Sequence, residues 1–424
     1  MNAKKRFICI AFILSTLNSF GQIQENSFEN IYNLLDQNNF FKAKEIYSAD
    51  KSNLSPVHQK FIEAYLDNTF GKPTQSNEKI AEIVENPIEL LHDSLMYTLY
   101  SIKADNLIKL YEYKEAKETT EFILEKFNDL LSEEEVAGYQ NTLKIWTVLE
   151  NQPEQTISMN GSAKIKIKKD KFRMKNLPVT TGRDTLDFIF DTGANLSVVT
   201  LTVAKKFNMN IFPDYFEGRG ATGGKFPARI AVCPEFYLGN IKIQNAVFLV
   251  MDDKELTFRI LFIKYKVLGI IGYPVIEALK EIQITKDDYF IVPEKETVCD
   301  YSNMAMEGLL PLILVEGNPY FFDTGAVKTG FYKPYYLANK EEIESKHKLE
   351  TIGYMSAGGK LKEKGYVIDA KLTVSDKDVI LKKVQVSKEY YFNYKGIWGN
   401  IGKDLIEQFD TTTINFKQMF IKFE

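Results

Sequence analysis

Two regimes of hydrophobic patterning divide the chain. From about residue 25 to 150, apolar residues recur with a 3.6-residue period. Phe28, Ile31 and Leu35 fall on one face, as do Ile62, Tyr65 and Leu66 in a segment that opens at Ser55-Pro56. Serine is a natural N-cap and proline a natural first-turn residue, so the pattern predicts helices. Ser132 and Glu135 have the spacing of a capping box ahead of a further helix that ends near Glu150. Asn38-Asn39 and Gly71-Lys72-Pro73 read as turns. Composition shifts between Asn151 and Gly161, which predicts a linker. Beyond it the period becomes two. Ala163-Lys164-Ile165-Lys166-Ile167-Lys168 alternates strictly, and short β runs punctuated by glycine and aromatic residues continue to the C-terminus. The expected class is multidomain α+β, with N-terminal all-α helical hairpins followed by an all-β part.

Both halves contain internal similarity. In the helical half, Phe40-Phe41-Lys42-Ala43 and Tyr113-Lys114-Glu115-Ala116 share aromatic-x-x-Ala, with the alanines 73 positions apart. This resembles a degenerate tetratricopeptide array. An irregular helical bundle is the alternative. In the β half, Phe188-Ile189-Phe190-Asp191-Thr192-Gly193-Ala194 and Tyr320-Phe321-Phe322-Asp323-Thr324-Gly325-Ala326 present Asp-Thr-Gly-Ala twice, each time after an apolar run. One such tetrapeptide is expected in roughly one in a hundred chains of this length, and two far more rarely. Leu177-Pro178-Val179 precedes the first copy and Leu310-Pro311-Leu312 the second. Downstream lie Ile270-Ile271-Gly272 and Asn400-Ile401-Gly402. The aspartates are 132 positions apart and the later glycines 130, a constant phase that points to duplication.

Composition bounds the function. At 424 residues the chain has room for two or three domains, and its 45% apolar and 26% charged content is that of an ordinary globular protein. A net charge of −4 gives no reason to expect nucleic acid or an anionic membrane as partner. Residues 1–21 read as an export signal. Lys4, Lys5 and Arg6 form the positive region, Phe7 to Leu14 the apolar run, and Ser19-Phe20-Gly21 the cleavage site. An uncleaved anchor is the alternative, and no other stretch reaches spanning length. Export permits a disulfide between Cys233 and Cys299, 66 positions apart, although free thiols fit equally. The three histidines, His58, His92 and His347, lie in no ligand spacing, so zinc and serine mechanisms find no support and no metal or cofactor is implied.

The chemistry resides in the repeated motif. An apolar strand delivers an aspartate into dry surroundings, which disfavour its charge. A second carboxylate nearby disfavours it further. The glycine two residues on allows a tight turn and close approach of another backbone. The threonine hydroxyl can both donate and accept, so it can tie two such turns together. With both motifs in two phased copies, residues 160–424 resemble the aspartic peptidases of the pepsin and retropepsin type. The resemblance implies a two-lobed, pseudo-twofold fold, with lobes at 160–300 and 301–424 after a helical domain at 22–150. It makes Asp191 and Asp323 a catalytic dyad that shares one proton and activates a water. Thr192 and Thr324 would cross-link the turns, and Gly193 and Gly325 would permit them. Two Gly-rich flaps would cover the site, with Gly220, Ala221, Thr222 and Gly223 in the first and Tyr354, Ser356, Ala357 and Gly358 in the second.

Gly218-x-Gly220-x-x-Gly223 also matches a dinucleotide fingerprint, but a proline-interrupted strand follows it where a helix should open, so that reading is rejected. Asn400 stands where an apolar residue is expected, Tyr273-Pro274 differs from Lys403-Asp404, and lobe 2 lacks a counterpart of the opening hairpin of lobe 1. Asp252 to Lys266 has no repeat partner and reads as an insertion near the cleft. The implied partner is a peptide or protein substrate, met by a monomer with both lobes in cis; a protein partner on the helical domain is a further expectation. A homodimer with lobes pairing between chains is one alternative. A peptide-binding protein that keeps the fold without cutting is the other. Alanine after each glycine, in place of a hydroxyl donor, implies activity at milder pH than a gastric-type enzyme.

Overall fold

The computed structural model describes residues 26–85, 91–260, 263–356, 358–389 and 394–424. The expected export signal and Ala357 lie outside the described residues. Among the described residues, seven α-helices come first: α1 (26–36), α2 (Phe40–Asp50), α3 (Pro56–Thr69), α4 (Pro73–Glu85), α5 (Asp93–Lys109), α6 (Tyr113–Lys126) and α7 (Glu133–Leu149). The starts of α3 and α7 are those the capping chemistry predicts. Ser55 Oγ accepts from His58 N–H with Pro56 in the first turn, and Ser132 and Glu135 close a reciprocal capping box. Phe40, Ala43, Tyr113 and Ala116 are all buried. None of the described helices is long and apolar enough to cross a membrane.

Lobe 1 is a closed ring of six strands. Thr185–Phe190 runs parallel to Gly269–Ile271, which pairs with Ser197–Thr200. That strand runs parallel to Ile241–Met251, which pairs with Lys225–Leu238. Lys225–Leu238 returns to Lys175–Thr180, the partner of Thr185–Phe190. Closure removes sheet edges. The supposed linker is partly a strand: Thr156–Met159 pairs with Ile241–Met251. The unpaired stretch after Asp252 forms a hairpin, Thr257–Ile260 with Ile263–Lys266, and Tyr265 packs edge-on to Phe172.

Lobe 2 repeats this order with Leu310–Val315, Asn318–Phe322, Gly399–Ile401, Gly330–Phe331, Lys377–Ser387 and Gly359–Val374, ending on Glu350–Ser356. Among the described residues its ring stays open. It does have an opening hairpin, contrary to expectation, because Met304–Glu307 pairs with Leu310–Val315. The pattern hides this strand because both faces are buried. Met304 and Met306 face the lobe core, while Ala305 faces the helices.

The lobes join within one chain. Glu281–Thr285 of lobe 1 pairs antiparallel with Thr411–Asn415 of lobe 2 at the centre of a five-stranded sheet. A buried lysine adds a second clasp: Lys403 Nζ of lobe 2 donates to the carbonyls of Arg173 at 2.7 Å and Phe172 at 3.3 Å in lobe 1. Nearby, Glu407 meets Lys175 and Arg173 at 3.5 Å and Lys169 at 3.7 Å. Burial pushes the Lys175 and Lys403 ammonium groups below their ordinary range. Among the described residues Cys233 and Cys299 are both free thiols, and burial pushes Cys233 up to about 12.

The helices lie across both lobes. Residues of α1–α5 share an apolar cluster with Ala305, Leu312, Phe321 and Ile397 of lobe 2. Leu107, Tyr113, Ala116, Trp146 and Leu149 share another with Ile189, Val198, Phe216, Phe226 and Ile230 of lobe 1. Polar contacts accompany each cluster. Tyr111 Oη and Gln155 Nε2 donate to Pro274 O at 3.0 and 2.8 Å, and Asn38 Nδ2 donates to Glu307 Oε2 at 2.7 Å. Burial pushes the Glu307 carboxyl up to about 7. A fragment of residues 151–424 would bare apolar surface on both lobes. It is expected to bind a hydrophobic dye and aggregate under conditions that keep the full chain dispersed, measured by dye fluorescence and light scattering.

Candidate active site

The two aspartates stand where buried aromatic strands end. Phe188, Phe190, Tyr320 and Phe322 are almost wholly buried and anchor these strands in the lobe cores. The backbone N–H of Asp191 donates to Ile271 O at 3.1 Å and that of Asp323 to Ile401 O at 3.0 Å, so each turn hangs from its neighbouring strand.

Four hydrogen bonds tie the turns to each other. Thr192 N–H donates to Thr324 Oγ1 and Thr324 N–H to Thr192 Oγ1, both at 3.0 Å. Each hydroxyl then donates across the axis, Thr192 to Phe322 O at 2.7 Å and Thr324 to Phe190 O at 3.1 Å. A hydroxyl suits this task because it accepts and donates together. Close approach explains the glycines. A Cβ on Gly193 would lie 2.7 Å from Asp323 Cγ, and one on Gly325 would strike the Asp191 carboxyl. Neither glycine has a positive φ, so nearness to the opposite aspartate is what excludes a side chain.

The later glycines support the turns from behind. Gly272 N–H donates to Ser197 Oγ at 3.0 Å and Gly402 N–H to Thr329 Oγ1 at 3.1 Å. Tyr273 N–H and Lys403 N–H donate to Ala194 O and Ala326 O, each at 2.9 Å. Ser197 and Thr329 escape the sequence reading, yet a signal is there: a hydroxyl residue stands six positions after each aspartate. Asn400 proves harmless. It is half-buried, and its Nδ2 donates to Lys328 O at 3.4 Å, so its amide nitrogen is not orphaned beneath the turn. The difference between Tyr273-Pro274 and Lys403-Asp404 follows from their neighbours. Pro274 offers its carbonyl to Tyr111 and Gln155, Lys403 reaches across to lobe 1, and Asp404 Oδ1 accepts from Thr329 N–H and Oγ1 at 2.7 and 2.8 Å.

The Asp191 and Asp323 carboxyls face each other across the clasp, each against the glycine of the opposite turn. Burial and the Asp323 charge push Asp191 well above the ordinary carboxylate range, and burial raises Asp323. Asp323 Oδ1 accepts from Gly325 N–H and Ala326 N–H, both at 2.8 Å, whereas Asp191 Oδ1 accepts from Gly193 N–H at 2.9 Å. Two raised carboxyls this close favour one proton held between them over two charges. Such a pair can act as base and acid in one step. Tyr332, also missed, neighbours Asp323, and burial with that charge raises its hydroxyl. Its counterpart in phase is Thr200, so the repeat does not announce it.

Both expected flaps are hairpins, and their tips meet. In the first, Gly220 and Gly223 close a turn that also holds exposed Ala221. Thr222 N–H donates to Ser356 Oγ of the second at 3.0 Å, and the two hydroxyls lie 2.8 Å apart. Gly224 and Gly358 touch backbone to backbone, with Gly358 at φ +86°. Tyr354 is half-buried beside Tyr332, on the Asp323 side.

The aspartyl protease family model matches residues 171–275, which hold Asp191, the first flap and Gly272. The match supports a peptidase function and a peptide substrate. No curated protein matches the chain.

Two outcomes follow from this geometry. Thr324→Val leaves Thr192 N–H and Phe190 C=O buried without partners, and should lower unfolding free energy by about 2–4 kcal/mol in denaturant titration. A carboxyl with a raised folded-state pKa contributes stability at low pH and loses it as pH rises through that pKa. Asp191→Asn removes this loss, so its thermal midpoint at pH 7 should exceed the wild type by a few degrees, on the order of 2–4 °C. The gap should close as pH falls to about 4, the unfolded carboxylate value.

Proposed function

We propose that the chain is an exported aspartic endopeptidase whose dyad is Asp191 and Asp323. The observation that carries this reading is the reciprocal threonine clasp, in which each turn is fixed by the other and the two carboxyls are brought together at the axis. A protein released from catalysis would keep a buried, self-repelling pair at a continuing cost to stability. The family match over lobe 1 supports the same reading.

In the reaction, a water lies between the carboxyls and the peptide carbonyl. Asp323, ionised, takes a proton from the water as its oxygen attacks the carbonyl carbon. Asp191 gives its proton to the carbonyl oxygen, producing a neutral gem-diol. Asp323 then delivers the captured proton to the amide nitrogen while Asp191 takes one back from a diol hydroxyl. The C–N bond breaks to release an acid and an amine, and the dyad regains its single proton. No cofactor enters the balance. The positive, apolar and small-residue pattern of residues 1–21 supports export, and the two lobes joined through Glu281–Thr285 and Thr411–Asn415 support activity as a monomer.

Asp191→Asn and Asp323→Asn should each abolish cleavage of a diverse peptide pool assayed between about pH 3 and 8. Wild-type cleavage should have an optimum above about pH 4, because Ala194 and Ala326 carry no hydroxyl to favour the ionised form and both carboxyls are raised. A wild type that cuts nothing across this range sinks the reading, and an optimum well below 4 sinks the account of the pair.

A further inference from the structure

We propose that Asn141 is a positioning residue for the first flap, and that the helical array is a permanent brace that fixes where this flap meets the second. The outer strand of the flap, Asn210–Arg219, pairs only with Lys225–Leu238 among the described strands. Glu217 stands opposite Pro227, which has no N–H to give. The backbone of Glu217 is instead answered from outside the sheet. Asn141 Nδ2 on α7 donates to Glu217 O at 2.8 Å, and Glu217 N–H donates to Asn141 Oδ1 at 2.7 Å. One side-chain amide thus pairs the strand edge as a neighbouring strand would.

Contacts on either side make this a seat. Two residues towards the tip, Arg219 Nη1 meets Glu134 Oε1 of α7 at 2.7 Å. On the inner side, Phe216 and Phe226 are buried in one apolar cluster with Trp146 and Leu149 of α7. The capping box of Ser132 and Glu135 fixes the end of α7 from which Glu134 projects. From this seat the hairpin continues to Thr222, whose N–H and hydroxyl meet Ser356. A shift of α7 would therefore move the meeting point of the flaps. Such a brace has to remain on the active protein, so it is not a segment removed on maturation.

The kinetic part of this inference rests on the peptidase reading. Amide exchange does not, which keeps the two failures distinguishable. In the full chain, Asn141→Ala should speed hydrogen exchange at Glu217 about tenfold, as expected for losing a protein partner at an exposed edge. It should raise KM for a cleaved peptide severalfold while leaving kcat and its pH limbs unchanged. Asn141→Asp controls for misfolding. Its ionised carboxylate can accept from Glu217 N–H but repels Glu217 O, whereas the protonated form restores both bonds. Because Glu217 N–H keeps its acceptor, its exchange in Asn141→Asp should stay close to the wild-type rate at neutral pH, which separates loss of the acceptor from a general loosening of α7. Unchanged exchange in Asn141→Ala overturns the brace. Faster exchange with unchanged KM overturns the positioning role. If the wild type cuts nothing, the peptidase reading fails and the brace is decided by exchange alone.

Discussion

Two carboxyl groups that share a dry site cannot both be charged, and the rest of the β half is organised around this constraint. Left alone, the Asp191 and Asp323 turns would move apart to hydrate. The threonine clasp opposes this with four hydrogen bonds, each spanning the lobe boundary. Behind it, the Gly272 and Gly402 supports hold each turn to its own lobe, and the shared sheet with the Lys403 clasp holds the lobes to each other. These layers act in series, so a weakness in any one would be felt at the carboxyls. The turns are not identical, since Ala326 N–H also donates to Asp323 Oδ1, so the two carboxyls are held in slightly different ways.

Much of this was legible in the chain. Aromatic runs before Asp191 and Asp323, glycines in constant phase and hydroxyl residues beside the aspartates all encode local requirements: a buried strand, a close approach and a two-way hydrogen bond. What escaped the reading depends on unlike elements meeting. Met304–Glu307 lacks the alternation of a half-exposed strand because the helices bury its second face. Thr156–Met159 lies in a stretch whose composition resembles a linker, and only its partner strand makes it a strand. Asn141 and Glu217 are 76 positions apart and belong to a helix and a hairpin, so no periodicity links them. Asn400 is a like case: the pattern gives its neighbours in sequence, while Lys328 O satisfies it in space.

The helical half has more to do than its plain composition implies. It covers apolar surface on both lobes and ends on the edge of a flap, so it contributes to the stability of the lobes and to the geometry above the aspartates through different helices. The N-terminal helices rest on lobe 2, and α7 on lobe 1 and its flap. Glu307, half-buried between the helices and lobe 2, has its carboxyl pushed up to about 7 in reach of Asn38, which places a titrating group at the seam between the halves.

The central sheet that joins Glu281–Thr285 to Thr411–Asn415 within one chain has an evolutionary consequence. In a symmetric dimer every substitution appears twice, and each contact near the axis must tolerate its own mirror position. Covalent union lifts that restriction. One lobe can close its ring while the other stays open, a lysine can clasp from one side alone, and a helical array can occupy a single flank without a second copy competing for the opposite one. The two halves are free to differ in everything except the few residues that must meet at the axis.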